Sequence, residues 1–461
     1  MLQTFDATTT PNQGPPRLAA LREEMAAQGV QGFVVPRADA WQGEYVAPCD
    51  ERLAWLTGFT GSAGFCAVLP EVAGVLVDGR YRVQVKDQVA DVFTPVNWPE
   101  TPLPTWIADH APSGARIAYD PWLHSVQQVR ALSKAFAAAG LALAASENLD
   151  AANWKDRTER PDGRSIAPAL ELAGESASDK RARLGRALTE AAEHAAILTL
   201  PDSICWLLNI RGSDIPRVPI LQCFAILHDD GRVALFVEAE KVAGLDLGVE
   251  VHSPEAFLPA VAALQGRVRL DPETCPQAVA DALTAEMREG PDTCLLPKAC
   301  KNATELDGTR AAHKRDAVAM VEFLAWLDAA NAATLTEIDV VKALEGFRSA
   351  TNALQDISFE TISGAGGNGA IVHYRVTEDS NRPLAEGELL LVDSGGQYVD
   401  GTTDITRTVA IGTPPDPARR AFTRVLQGMM ALSALRFPDG LAGAHIDAIA
   451  RAPLWKAGQD Y

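Results

Sequence analysis

Apolar positions in this chain fall into short blocks that alternate between the spacing of a helix face and that of a buried strand, broken by Gly, Pro, Asn and Asp. Residues 1–15 are rich in Thr and Pro, have few apolar anchors and are expected to be disordered. Leu18, Leu21 and Met25 then share one face of a helix predicted over 16–28, with Gly29 as its stop. Gly32–Pro36 reads as a short buried strand, so this region opens an α/β unit. Phe65–Leu69 and Val72–Val77 are predicted strands joined by a tight turn, and the second ends in Asp78-Gly79-Arg80-Tyr81.

The pattern then recurs. Trp55-Leu56 and Gly61-Ser62 reappear at the same spacing as Trp206-Leu207 and Gly212-Ser213. Each set precedes a strand pair, over 65–77 and over 224–237, the latter turning at Asp229-Asp230-Gly231. Two related α/β domains in tandem are therefore expected, joined by the polar, proline-bearing stretch 153–168. The second opens on a helix over 178–195 and closes near Pro297.

From Lys301 the texture changes to a long helix. Thr304 and Asp307 resemble a cap at its start, and Ala317, Met320, Val321, Leu324 and Leu327 mark a buried stripe. His313 lies off that stripe and reads as a surface histidine. A second helix is predicted over 336–348. Gly364, Gly366 and Gly369 spell GxGxxG, but residues 370–374 after them read as a strand rather than a helix, which argues against a dinucleotide site. The glycines instead let the backbone turn close to a pocket. That strand carries His373; a lone histidine in an apolar strand is usually a satisfied core or edge residue. Near the end, a helix from Asp416-Pro417 is expected to turn Phe422, Val425, Met429 and Leu432 inward, and a short helix over 446–455 follows.

The chemistry concentrates in Leu389–Thr408, LLLVDSGGQYVDGTTDITRT, read as strand, turn and return strand. Asp393 ends an apolar run, where a carboxylate costs free energy unless paired or bound to a cation. Asp404 holds a similar position on the return strand, so the two can face one side and share a cation. For an arbitrary Asp pair, turn capping is the commoner role. Arg80 has a similarly plain alternative as a solvated turn cation.

A length of 461 residues implies two or three domains. The balance of 41 basic to 60 acidic residues, net −19, argues against nucleic acid or an anionic membrane as partner and is compatible with holding divalent cations. The start has neither a basic segment nor an apolar core, so no signal peptide is read. No apolar run approaches membrane-spanning length. The seven Cys are scattered without a CxxC pair, as in reduced cytoplasmic proteins.

WLTGFTGSAG at Trp55, DGRY at Asp78, WLLNIRGSDIP at Trp206, AHKRDAVAM at Ala312, GAIVHY at Gly369 and LLLVDSGGQYVDGTTDITRTVAIG at Leu389 together resemble the Xaa-Pro aminopeptidases (aminopeptidase P) in their larger, three-domain cytosolic form. The resemblance implies two creatinase-like α/β N-terminal domains, over 16–155 and 165–300, followed by a pita-bread metallopeptidase domain over 301–461. It implies two divalent metal ions, most often Mn, with Zn or Co as alternatives. On this resemblance Asp393 and Asp404 match metal ligands, Asp404 bridging both ions. His373 matches the histidine at the substrate carbonyl, and Arg80 an arginine reaching the substrate end. The implied reaction is release of the residue before proline through attack by a metal-bridging hydroxide, in a cytoplasmic homodimer acting on peptides. The family's Gly-His-Gly ligand segment is not found; the remaining His and two Glu ligands are expected beyond Tyr461, leaving the catalytic domain incomplete in this chain with an open apolar face. His445 precedes its helix and is no substitute. A prolidase- or creatinase-like hydrolase and a non-catalytic peptide- or protein-binding scaffold are the alternatives. The three-domain layout and DGRY argue against the first, and retention of Asp393, Asp404 and His373 together argues against the second.

Overall fold

The computed structural model describes residues 2–151 and 153–461. Its first domain is a six-stranded sheet of β1 (Gly32–Pro36), β2 (Phe65–Val68), β3 (Ala73–Val77), β4 (Thr94–Asn97), β5 (Arg116–Tyr119) and β6 (Ala142–Ala145), in the order β4-β3-β2-β1-β5-β6. The second repeats it with β7 (Ala195–Leu198), β8 (Phe224–His228), β9 (Val233–Phe236), β10 (Glu250–His252), β11 (Arg267–Leu270) and β12 (Glu286–Glu289), in the order β10-β9-β8-β7-β11-β12. Orientations repeat as well: β1–β2, β2–β3, β7–β8 and β8–β9 are antiparallel, and the remaining neighbours in both sheets are parallel. The short Trp-Leu…Gly-Ser repeat in the sequence thus marks two copies of one topology.

These central strands read as continuous apolar runs because both faces are covered. Phe33 and Val35 pack with Leu18, Leu21 and Met25 of the helix Gly14–Ala27, while Val34 between them points to Trp106, Ile107 and Phe136 on the other face. The same alternation divides Cys66 and Val68 from Ala67, and Val75 and Val77 from Leu76. Each such aliphatic side chain contributes roughly 1.5–3 kcal/mol through burial. The two domains dock through Trp41, which stacks on Phe224 at 5.3 Å and donates its indole N–H to the Cys223 carbonyl at 3.0 Å.

His124 is buried in the first domain with Nδ1 against the Asp120 carbonyl at 3.0 Å. Burial pushes its pKa down from 6.5 to about 4. Between those values the unfolded chain binds a proton that the folded chain refuses, so stability falls as pH drops from 6.5 through 4. The gap corresponds to about 3 kcal/mol. In urea titrations at pH 7 and pH 4, His124→Gln should lose that part of the pH dependence; an unchanged difference between the two pH values would contradict this role.

The third part is built on the helices Ala303–Ala329 and Glu337–Ala350. Sequence reading assigned the first cap to Thr304 and Asp307. The cap is Asn302, whose side chain accepts from Glu305 N at 2.9 Å while Glu305 accepts from Asn302 N at 2.8 Å. The buried stripe is also rotated. Met320 and Leu327 are inside as expected and Leu324 is half-buried, but Ala317 and Val321 are exposed, and Ala312, Asp316, Ala319 and Phe323 complete the inner face. The reason is Asp316, a polar residue that a hydrophobic pattern places outside but that is buried in an ion pair with Arg348, at 2.7 and 3.1 Å.

Strands β13 (Asp356–Ile357), β14 (Ile362–Ala365), β15 (Leu389–Ser394), β16 (Gly396–Tyr398), β17 (Gly401–Thr402) and β18 (Ile405–Ala410) form two three-stranded sheets, β14-β15-β18 and β13-β16-β17. The expected strand over 370–374 is not formed. Gly366–Ala370 is a 3-10 turn and His373 follows it in irregular backbone. Tyr374 ties the segment down, its hydroxyl bonded to Glu337 at 2.9 Å and Ser380 at 3.0 Å, so it folds back onto a helix start instead of extending beside a strand. The helix Asp416–Ser433 forms, but Phe422, Val425 and Met429 are exposed and Leu432 is half-buried, contrary to the inward face expected. Its tight contact is made instead by Gly428, where an added Cβ would run into the Ala450 carbonyl of the helix Gly443–Trp455.

The N-terminal stretch expected to be disordered is a strap. Phe5 is buried among Ile338, Val341, Ile362, Tyr374 and Val376. Gln3 accepts from Thr361 N at 2.8 Å, Glu378 N donates to the Phe5 carbonyl at 2.9 Å, and Arg375 donates to the carbonyls of Thr4 and Asp6 at 3.0 and 2.9 Å. Residues 3–6 thus bind the segment that carries His373.

Candidate active site

Asp393 lies near the end of β15, between β14 and β18, opposite Ile362 and Thr406. Asp404 immediately precedes β18, two residues before the Thr406 that pairs with Asp393, and its charge acts on Asp393. The sheet changes immediately beyond. Gly395 leaves the β15–β18 ladder, and Gln397 and Tyr398 pair with Thr402 and Gly401. Only glycine fits at 395, because a Cβ there would run into the Thr403 carbonyl. The hairpin anticipated from sequence is present, with its tip turned into a second sheet.

Asp393 is half-buried and accepts from the Thr406 hydroxyl at 2.8 Å. Burial raises its pKa, the negative charge of Asp404 adds to that, and the Thr406 bond opposes it. Asp404 is exposed. This is a carboxylate pair whose mutual repulsion a cation would relieve. Among the described residues no group of three or more His, Cys, Asp and Glu side chains forms a metal cluster.

His373 reaches the same site from the irregular segment. Its pKa is lowered by burial and then by the positive charge of Arg80, with Glu44, Asp78 and Asp393 pulling the other way. Arg80 is held by Asp78, Nε to Oδ1 at 3.0 Å and Nη2 to Oδ2 at 2.7 Å, and lies 5.2 Å from the centre of the Tyr81 ring. The Arg80 bond holds the Asp78 carboxyl below its usual range. The four residues singled out from sequence therefore gather from two domains: Arg80 from the first, His373, Asp393 and Asp404 from the third.

Several neighbours were not anticipated. Tyr81 bonds His373 Nδ1 at 2.6 Å. Ser62 and Glu44 continue that contact, and Tyr45 lies among the charges of Glu44, Glu360 and Asp404. Tyr81 and Ser62 belong to the DGRY and GSAG motifs, which was the available signal; the partner 292 residues away was not.

Residues 17–151 and 156–305 each match the Creatinase/Prolidase N-terminal domain family, and residues 307–461 match metallopeptidase family M24. Two creatinase-type domains ahead of an M24 domain define the class of three-domain metallopeptidases. Aminopeptidase P2 of Arabidopsis thaliana is 34% identical over 94% of this chain and 68% of its own length. A probable Xaa-Pro aminopeptidase P of Laccaria bicolor is 36% identical over 96% of this chain and 72% of its own. The crystal structure of X-prolyl aminopeptidase from Caenorhabditis elegans, described as a cytosolic enzyme with a di-nuclear active site, superposes with a TM-score of 0.91 at 30% identity, over 97% of this chain and 78% of the worm chain. This chain belongs to the Xaa-Pro aminopeptidase family, hydrolases of the M24 metallopeptidases.

Proposed function

We propose that this protein releases the N-terminal residue from peptides with proline in the second position, with Asp393 and Asp404 as ligands of a pair of divalent ions, His373 at the substrate carbonyl and Arg80 at the substrate's far end. The observation that carries the reading is the Asp393–Asp404 pair at one end of the β15–β18 hairpin, close enough for the charge of Asp404 to act on Asp393. Two carboxylates suit a hard cation, Mn ahead of Zn or Co. Bound there, such a pair supplies Lewis acidity and a water acidic enough to react at neutral pH.

This chain's own residues do the rest. His373 is the hydrogen-bonding partner for the carbonyl oxygen of the bond before proline, whose ring nitrogen offers no N–H. Asp404, exposed and negative, faces a positively charged free amine. Arg80, fixed by Asp78, keeps its charge available to the far end of the peptide. A cytoplasmic homodimer belongs to the same reading; the worm enzyme's description as cytosolic supports the location. No helix among the described residues is long and apolar enough to cross a membrane.

Initial rates on an Xaa-Pro dipeptide and on the same sequence extended by one or more residues test the assignment. The longer peptide should be cleaved faster. A preference for the dipeptide would indicate a prolidase, and binding of both without cleavage would indicate a scaffold.

A further inference from the structure

Tyr81 is 1% exposed, and its hydroxyl reaches from the first domain to a site residue of the third, at 2.6 Å from His373 Nδ1. The hydroxyl also accepts from Ser62 N at 3.0 Å and lies 2.7 Å from Ser62 Oγ. Ser62 Oγ in turn donates to Glu44 Oε1 at 3.1 Å.

Proton counting assigns a direction to each contact. A phenol oxygen has one proton and two lone pairs. The Ser62 backbone N–H takes one lone pair. The Glu44 carboxylate only accepts, so it takes the Ser62 hydroxyl proton. Ser62 Oγ must then accept from Tyr81, which uses the only phenol proton. The remaining Tyr81 lone pair is left for His373, so Nδ1 carries a hydrogen and donates. Among the described residues His373 Nε2 has no hydrogen-bond partner, and it is the nitrogen left for the substrate.

We infer that Tyr81 is a positioning residue for His373: backed by Ser62 and Glu44, it fixes the imidazole as the Nδ1–H tautomer and reserves Nε2 for the substrate. In the neutral ring Nε2 is then an acceptor, and it donates to a substrate oxygen only after taking up a proton. The role assigned to the resulting catalysis rests on the Xaa-Pro aminopeptidase reading; the tautomer does not. Tyr81 packs edge-on against Phe59 at 5.4 Å, and phenylalanine preserves that packing while removing only the hydroxyl.

The test is Tyr81→Phe in the full-length protein, with the ring nitrogens of selectively 15N-labelled histidine read by NMR and steady-state kinetics on an Xaa-Pro tripeptide. In the unaltered protein the His373 signals, assigned by their loss in His373→Gln, should show a protonated Nδ1 and a bare Nε2. Tyr81→Phe should shift both toward the mixed-tautomer average and lower kcat about tenfold with KM within about twofold, the size of one lost buried hydrogen bond. Unmoved His373 signals in Tyr81→Phe, or a bare Nδ1 in the unaltered protein, would overturn the inference. If Tyr81→Phe does not fold, Ser62→Ala provides the same NMR readout, because it removes the acceptor that orients the Tyr81 proton. A tautomer shift without Xaa-Pro hydrolysis in either protein would leave Tyr81's role standing and remove the aminopeptidase reading.

Discussion

Asp404→Ala is expected to reduce Xaa-Pro hydrolysis by at least about a hundredfold, the range seen when a direct electrostatic partner of the transition state is removed. Asp404 is exposed and lies immediately before β18, outside the apolar cluster that holds β15 against the two helices. Its loss should therefore leave the fold intact, so circular dichroism and the urea midpoint should match the parent. The variant also takes a like charge away from Asp393, whose pKa Asp404 helps to raise. In the metal-free protein, Asp393 should then ionise at lower pH. Undiminished hydrolysis in Asp404→Ala would show that turnover does not need the second carboxylate and would remove Asp404 from the proposed ligand set.

The second large effect is structural. Arg348 and Asp316 are both buried and joined by two bonds, and Tyr398 donates its hydroxyl to the same carboxylate at 2.8 Å. Tyr398 belongs to β16, inside the hairpin that carries both aspartates. Arg348→Leu leaves a buried carboxylate without its cation, which costs about 3–5 kcal/mol. Replacing both partners with apolar residues of similar size, Asp316→Leu with Arg348→Met, should recover much of that loss, because the pair's attraction is offset by the cost of burying two charges. Urea denaturation of both variants measures this. A cost below about 1 kcal/mol for Arg348→Leu would mean that Asp316 finds other partners.

What was legible in the sequence follows the range over which its causes act. The centres of the two sheets were readable because β1, β2, β3, β8 and β9 are local apolar runs and because Trp55 and Gly61-Ser62 recur as Trp206 and Gly212-Ser213, whereas outer strands such as β4, β10 and β12 are largely exposed and carry no such run. Asp393 and Asp404 were readable because strand, turn and return strand lie within twenty residues, and Gly395 marks the sharp departure between them. Contacts made across domains left no local trace. Phe5 looked like a lone aromatic in a Thr-rich tail, since the apolar residues that bury it lie more than three hundred positions away. Tyr81 looked like the end of a turn. The inner face of the long helix was read correctly at Met320 and Leu327 but rotated at Ala317 and Val321, because its packing is organised around a buried acid, Asp316, which periodicity counts as polar. His373 was placed on a strand because Ile371 and Val372 are apolar, whereas Tyr374 and Glu337 hold that segment in a fold-back.

The most direct measurement is native mass spectrometry of the protein from its own cells, run beside Asp404→Ala expressed in the same way, with Xaa-Pro tripeptide hydrolysis assayed on both. The account predicts two divalent ions on the parent, and their loss together with turnover in the variant. Metal and turnover both retained by Asp404→Ala would contradict it.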